Sequence, residues 1–212
     1  MKKPRVIVNC AMSIDGKIAL PSRKQTRISN DEDIARVHRL RNQCDAILVG
    51  IGTVLADDPS LLVKKRYVKN VSCPLRIVLD STYRIPAEAQ VFTGDAHTLI
   101  VTTCKEEHNN GVEVIRCGSK GERVDLTELM KILYKRGIRR LMVEGGETVI
   151  WELLAADLVD ELMVFIAPLV IGGTESPTLA GGKGAQSIKE IIHLKIHRMN
   201  RIGGGILIFA HK

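Results

Sequence analysis

The sequence predicts an α/β fold: a mostly parallel central sheet flanked by helices, ending in an antiparallel hairpin. Three observations carry this. Short runs rich in Val, Ile and Leu alternate with stretches of helical spacing along the chain. Most runs are continuous rather than alternating, the pattern of strands buried on both faces. The last two runs are separated only by Asn200-Arg201-Ile202-Gly203-Gly204-Gly205, which reads as a hairpin connection.

Taken in order, strands are expected at residues 6–11, 46–50, 76–80, 98–102, 112–116, 140–144, 161–167, 191–197 and 206–210. The first helix opens at Ser29 or Asn30, both N-capping types, with Asp31, Glu32 and Asp33 in the turn where the helix dipole favours acids. Ile34, Val37, His38 and Arg41 follow at 3.6-residue spacing, which directs Arg41 toward the buried side. A second helix runs from Asp125 to about Arg136 and stops at Gly137. A third starts near Gly146 and ends around Asp157. Residues 172–187 are Gly-rich and are expected as a mobile loop. No repeat, low-complexity tract or linker divides the chain, so residues 1–212 are read as a single domain.

Composition bounds the function. The 212 residues are 45% hydrophobic and 26% charged, enough to bury a core without disulfides or a structural metal. The five cysteines are odd in number and form no CxxC pair, which argues for inert packed thiols over a disulfide framework or zinc site. No apolar run reaches the ~20 residues of a membrane span, and the N-terminus lacks a secretory h-region, so a cytoplasmic protein is expected. The net charge of +7 suits an anionic partner. Aromatics are only 3%, a poor stacking platform for nucleic acid, so the charge points to phosphates on small ligands.

Open α/β sheets bind ligands beyond the carboxyl ends of their strands. After the first strand, Asp15-Gly16 is either a simple turn or a ligand contact. After the second, Thr53 and Asp57 are four apart, on one face of any helical turn. Asp57 and Asp58 there either hold ribose hydroxyls or solvate a loop. In Glu144-Gly145-Gly146-Glu147-Thr148, glycines at a helix start expose N–H groups that suit phosphate, or merely close a tight turn. Glu144 is a substrate ligand, a proton donor or a solvated acid. Arg39, Arg41, Lys64, Lys65 and Arg66 form a basic cluster, and an inward Arg41 calls for an anion such as phosphate. His193 and His197 have no third partner nearby, so no metal site is expected. His38 reads as a packed or surface histidine.

The blocks AMSIDGKIA, VHRLRNQCDAILVGIGTVLADDPSL, PLRIVLDS, LMVEGGETV and LVDELMVFIAPLVIGG resemble, in this order, the riboflavin-pathway reductases. The resemblance runs from about Arg5 to Phe209. It implies a dihydrofolate-reductase-like α/β fold, NADPH as cofactor with NADH as a possible substitute, and a homodimer. The implied reaction turns the ribosyl group of a phosphorylated pyrimidine into a ribityl group. The H-x-E and P-C-x-x-C signature of the fused zinc deaminase is absent from this sequence, as in the free-standing archaeal type. The implied substrate is then 2,5-diamino-6-ribosylamino-4(3H)-pyrimidinone 5′-phosphate. The alternatives are the deaminated pyrimidine or a pterin on the same fold and, from another class, a basic nucleic-acid-binding module.

Carried over by resemblance, Ala11, Thr53, Asp57, Ser81 and the run Gly146, Glu147, Thr148 contact NADPH. Arg41, Leu61 and Glu144 hold the substrate, and Lys64 stands where relatives often carry Arg. On this reading Arg41 and Lys64 clamp the 5′-phosphate, and Gly145 and Gly146 receive the cofactor pyrophosphate. Glu144 or Asp15 handles the proton.

Overall fold

The computed structural model describes residues 2–24, 26–104, 112–119 and 123–212. The chain forms two compact units, each discontinuous in sequence: residues 1–5 with 38–142, and residues 6–37 with 143–212.

The first unit holds β2 (Ala46–Gly50), β3 (Leu75–Leu79), β4 (Thr98–Thr102), β5 (Glu113–Arg116) and β6 (Arg140–Val143), in the spatial order β5-β4-β3-β2-β6. The pairs β2–β3, β3–β4 and β4–β5 are all parallel. Every residue of β2 and β4 is buried, as continuous apolar runs require. The helix α2 (Ile51–Asp57) leaves β2 directly. The helix α3 (Leu126–Lys135) is capped by Asp125, whose carboxylate accepts the Glu128 N–H at 2.9 Å. It buries Leu126, Leu129, Met130 and Leu133. Its end is a Schellman motif: Gly137 takes φ +91°, its N–H donates to the Tyr134 carbonyl, and the Ile138 N–H donates to the Leu133 carbonyl.

The second unit holds β1 (Arg5–Ser13), β7 (Glu161–Ala167), β8 (Lys195–Ile202) and β9 (Gly205–His211), in the order β1-β7-β9-β8. β1 and β7 are parallel, and β7–β9 and β9–β8 are antiparallel. Ile28, Phe165, Ala167, Leu207 and Phe209 form a core cluster of this unit. The α4 helix (Glu147–Ala155) also belongs to it.

Three expectations need correction. The penultimate strand lies at Lys195–Ile202 rather than 191–197, because its pairing with β9 sets its limits and not its apolar content. The helix α1 (Asp31–Asn42) does start after Asn30, whose Oδ1 accepts the Asp33 N–H at 2.8 Å. Its buried positions, however, are Asp33, His38 and Leu40, with Ile34, Val37 and Arg41 half-buried. Asp33 is buried because it is fully engaged. It accepts from Ser29 Oγ at 2.6 Å and from Arg36 Nε at 2.7 Å, and Arg36 reaches Asn9 Oδ1 at 2.7 Å. Finally, Cys73 is exposed, while Cys44 and Cys117 are buried. Burial, aided by the charge of Glu128, pushes the Cys117 thiol up to about 12, so that thiol is inert.

Candidate active site

In the second unit, Ala11 lies on β1 and packs against the Phe165 cluster. Asp15-Gly16 forms a tight turn just beyond the strand. The Gly16 N–H donates to the Ser13 carbonyl at 3.0 Å, and the Lys17 N–H to Ser13 Oγ at 2.9 Å. Gly16 takes φ +82°, so the turn reading holds. The Asp15 carboxylate accepts the N–H groups of Ile171 and Gly172 at 3.1 and 2.7 Å. The Ser13 hydroxyl and these amides hold its carboxyl at about 2. A group that acidic is ionised near neutrality and is a weak base.

Glu144, half-buried, directly follows β6. Gly145 and Gly146 then take φ +145° and +90°, a path closed to residues with a Cβ. Gly146 is the N-cap of α4 and supplies no side-chain bond to the helix start, whose first-turn N–H groups suit an anion. The Glu147 side chain turns to the protein instead. It pairs with Arg23 Nη2 at 2.9 Å and accepts the Thr178 N–H at 3.2 Å. The Gly181 N–H donates to the Glu147 carbonyl at 3.1 Å. Within residues 172–187, expected as a mobile loop, Thr178 and Gly181 are thus fastened to the start of α4. The Thr148 side chain lies beside Gly182, with 3.4 Å between Cγ2 and where a Cβ would stand.

In the first unit, Thr53 and Asp57 sit one turn apart on α2, both half-buried. The adjacent carboxylates divide their work. Asp58 takes a left-handed φ of +40°, and its carboxylate accepts Gln90 N–H at 2.7 Å and Nε2 at 3.3 Å. Asp57 keeps a buried Oδ1 with no hydrogen-bond partner, and burial raises its pKa. A buried acceptor without a donor marks a place where a ligand hydroxyl or amide fits. Ser81, just past β3, is held in place: its Oγ accepts the Val124 N–H at 3.3 Å and its carbonyl accepts Thr103 Oγ1 at 2.9 Å.

The segment 60–64 ends at Lys64, the first of the cationic run Lys64, Lys65, Arg66. Leu61 is buried with φ +55°, a left-handed conformation rare for leucine. Arg41 Nη1 donates to the Leu62 carbonyl at 3.2 Å. The Lys64 side chain is exposed, and its N–H donates to His38 Nδ1 at 3.3 Å. Sequence reasoning missed Arg76, buried on β3, whose guanidinium donates to the carbonyls of Ser60 at 3.2 Å, Thr93 at 2.7 Å and Ala96. Its signal was an arginine inside the run LRIVL. His197, on β8, faces His211, with Nδ1 atoms 3.1 Å apart; His193 precedes the strand.

The uncapped start of α4 offers donors to phosphate, and Asp57 offers an acceptor to a ribose hydroxyl or an amide. Each, within its own unit, suits one part of a dinucleotide. The family model described as RibD C-terminal domain matches residues 4–208. The chain is 41% identical to the 2,5-diamino-6-ribosylamino-4(3H)-pyrimidinone 5′-phosphate reductase of Archaeoglobus fulgidus, covering 98% of each. Among solved structures it is similar to a Thermotoga maritima diaminohydroxyphosphoribosylaminopyrimidine deaminase/5-amino-6-(5-phosphoribosylamino)uracil reductase. The TM-score is 0.83 at 26% identity, over 99% of this chain and 56% of that one. The fold, with its mostly parallel sheet and antiparallel final strands, is also that of Enterococcus faecalis dihydrofolate reductase, at TM-score 0.51 and 12% identity over 98% of this chain and 95% of that one.

Proposed function

Because the chain belongs to the RibD C-terminal domain family, we propose that it reduces 2,5-diamino-6-ribosylamino-4(3H)-pyrimidinone 5′-phosphate with NADPH, in riboflavin biosynthesis. The observation that carries the reading at the site is that Arg41, from α1, binds the Leu62 carbonyl two residues before the exposed Lys64. A fork-shaped guanidinium and a compact ammonium are the two cation types that suit a 5′-phosphate.

NADPH, when bound, supplies the hydride that reduces the anomeric carbon of the opened ribosylamine. The chain's own residues do the rest. Arg41 and Lys64 hold the phosphate, and the buried Leu61 reaches the substrate only through its backbone. Thr53, Asp57, Ser81 and the Gly145–Gly146 turn with the first N–H groups of α4 hold the cofactor. Glu144 moves the proton as the sugar ring opens and the exocyclic nitrogen is reprotonated. A homodimer is supported by the second unit's apolar surface: Ile188, Ile196 and Met199 are 85%, 53% and 63% exposed. Among the described residues no helix is long and apolar enough to cross a membrane, in keeping with a cytoplasmic enzyme.

The test is loss of NADPH absorbance with three acceptors offered separately: the diamino pyrimidinone phosphate, its deaminated counterpart and dihydrofolate. Fastest turnover of the first is expected. Faster turnover of dihydrofolate overturns the reading.

A further inference from the structure

We propose that His38 is a positioning residue, one that fixes the backbone of segment 60–64 so that Lys64 meets the sugar phosphate. The inference rests on the phosphate-binding role given above to Arg41 and Lys64. His38 is buried on α1, one turn before Arg41. Its Nδ1 accepts the Lys64 N–H at 3.3 Å, a bond that requires Nδ1 to be unprotonated. Its ring stacks on Tyr67, with centroids 4.6 Å apart and planes 12° from parallel. The Tyr67 N–H in turn donates to the Lys64 carbonyl at 3.0 Å.

Both backbone polar groups of Lys64 are therefore fixed, one by His38 and one by the residue on which His38 stacks. The Lys64 side chain stays exposed beyond this anchored backbone. Upstream, Arg41 holds the Leu62 carbonyl and Arg76 the Ser60 carbonyl. Leu61, at φ +55°, needs such bracing, since a left-handed leucine persists only where its surroundings over-determine it. A histidine present only to fill space has no need of a directional bond to a backbone amide. The arrangement makes the phosphate segment preformed, which lowers the ordering cost of binding.

The experiment compares His38→Leu, His38→Asn and His38→Gln. Asn places its amide oxygen near the position of Nδ1 and can accept the Lys64 N–H. Gln places its amide near Nε2 and cannot, so Asn against Gln decides the matter even if the Leu variant does not fold. The readouts are hydrogen exchange of the Lys64 amide and calorimetric titration with ribose 5-phosphate and, separately, NADPH. In Leu and Gln, Lys64 exchange and the Kd for ribose 5-phosphate should each rise about five- to tenfold, as expected for one lost hydrogen bond. Asn should stay within about twofold of wild type, and the Kd for NADPH should stay within about twofold in all three. The inference is overturned if Asn and Gln are indistinguishable, or if exchange accelerates while ribose 5-phosphate binds unchanged. If wild type itself binds no ribose 5-phosphate, the phosphate role of Lys64 fails and this inference falls with it. If wild type binds and the variants do not differ, the inference alone falls.

Discussion

Gly181 lies against the Glu147 carboxylate so closely that a Cβ at this glycine would stand 2.5 Å from Oε2. The contact exists because Glu147 reaches to the Thr178 N–H and to Arg23 instead of solvent, drawing residues 178–182 onto the start of α4. Gly181→Ala must push the carboxylate aside and loosen this fastening. The KM for NADPH should rise about tenfold, roughly the loss of one charge-assisted hydrogen bond. The KM for the pyrimidine phosphate should change little. Steady-state kinetics with each ligand varied in turn check this, and equal rises in both values count against it.

Asp57 predicts opposite effects on stability and on binding. Burial raises its folded-state pKa above the ordinary 3.8, so the folded protein carries a penalty for the ionised form. That penalty is absent below 3.8 and grows as pH rises through the folded value. Asp57→Asn should therefore raise the unfolding midpoint of the ligand-free protein at pH 7, a gain that vanishes near pH 3. The same variant should weaken NADPH binding, since Oδ1 is the unmatched acceptor. Calorimetry at both pH values, with and without NADPH, separates the two effects.

Arg41→Lys keeps the charge and loses the fork. The KM for the pyrimidine phosphate should rise about tenfold and kcat should hold, because the lost contact is made equally in ground and transition states. Arg41→Ala should cost more, roughly 1.5–3 kcal/mol of binding, the range for hydrogen bonds to charged groups. An unchanged KM with the phosphorylated substrate removes Arg41 from the clamp.

Glu144→Gln should lower kcat about 10²–10⁴-fold, the usual contribution of a positioned acid–base group, while both KM values stay within about threefold. Single-turnover measurement of NADPH oxidation makes the comparison direct. A variant at full rate moves the proton-handling role elsewhere.

Most of the fold was legible because burial wrote it. β2, β4 and β7 each enclose a continuous apolar run at the residues the sequence predicts, and Asp125 and Gly137 bracket α3 as caps should. What escaped is polar or distant. β8 is exposed along nearly its whole length, so hydrophobic pattern cannot locate it. The buried face of α1 rests on Asp33, Arg36 and Asn9, a network that periodicity of apolar residues does not register. At the site, the two carboxylates Asp57 and Asp58 are alike in sequence and differ only in what surrounds them. The partnership of His38 with Lys64 joins residues 26 positions apart, and spacing gives no hint of it.

The central claim is reduction of the sugar carbon, and transfer of label from NADPH deuterated at the nicotinamide C4 tests it most directly. With the diamino pyrimidinone phosphate as acceptor, the product should carry one deuterium, on the ribityl carbon bonded to the exocyclic nitrogen. Deuterium on the pyrimidine ring, or oxidation of NADPH with no labelled ribityl product, contradicts the account.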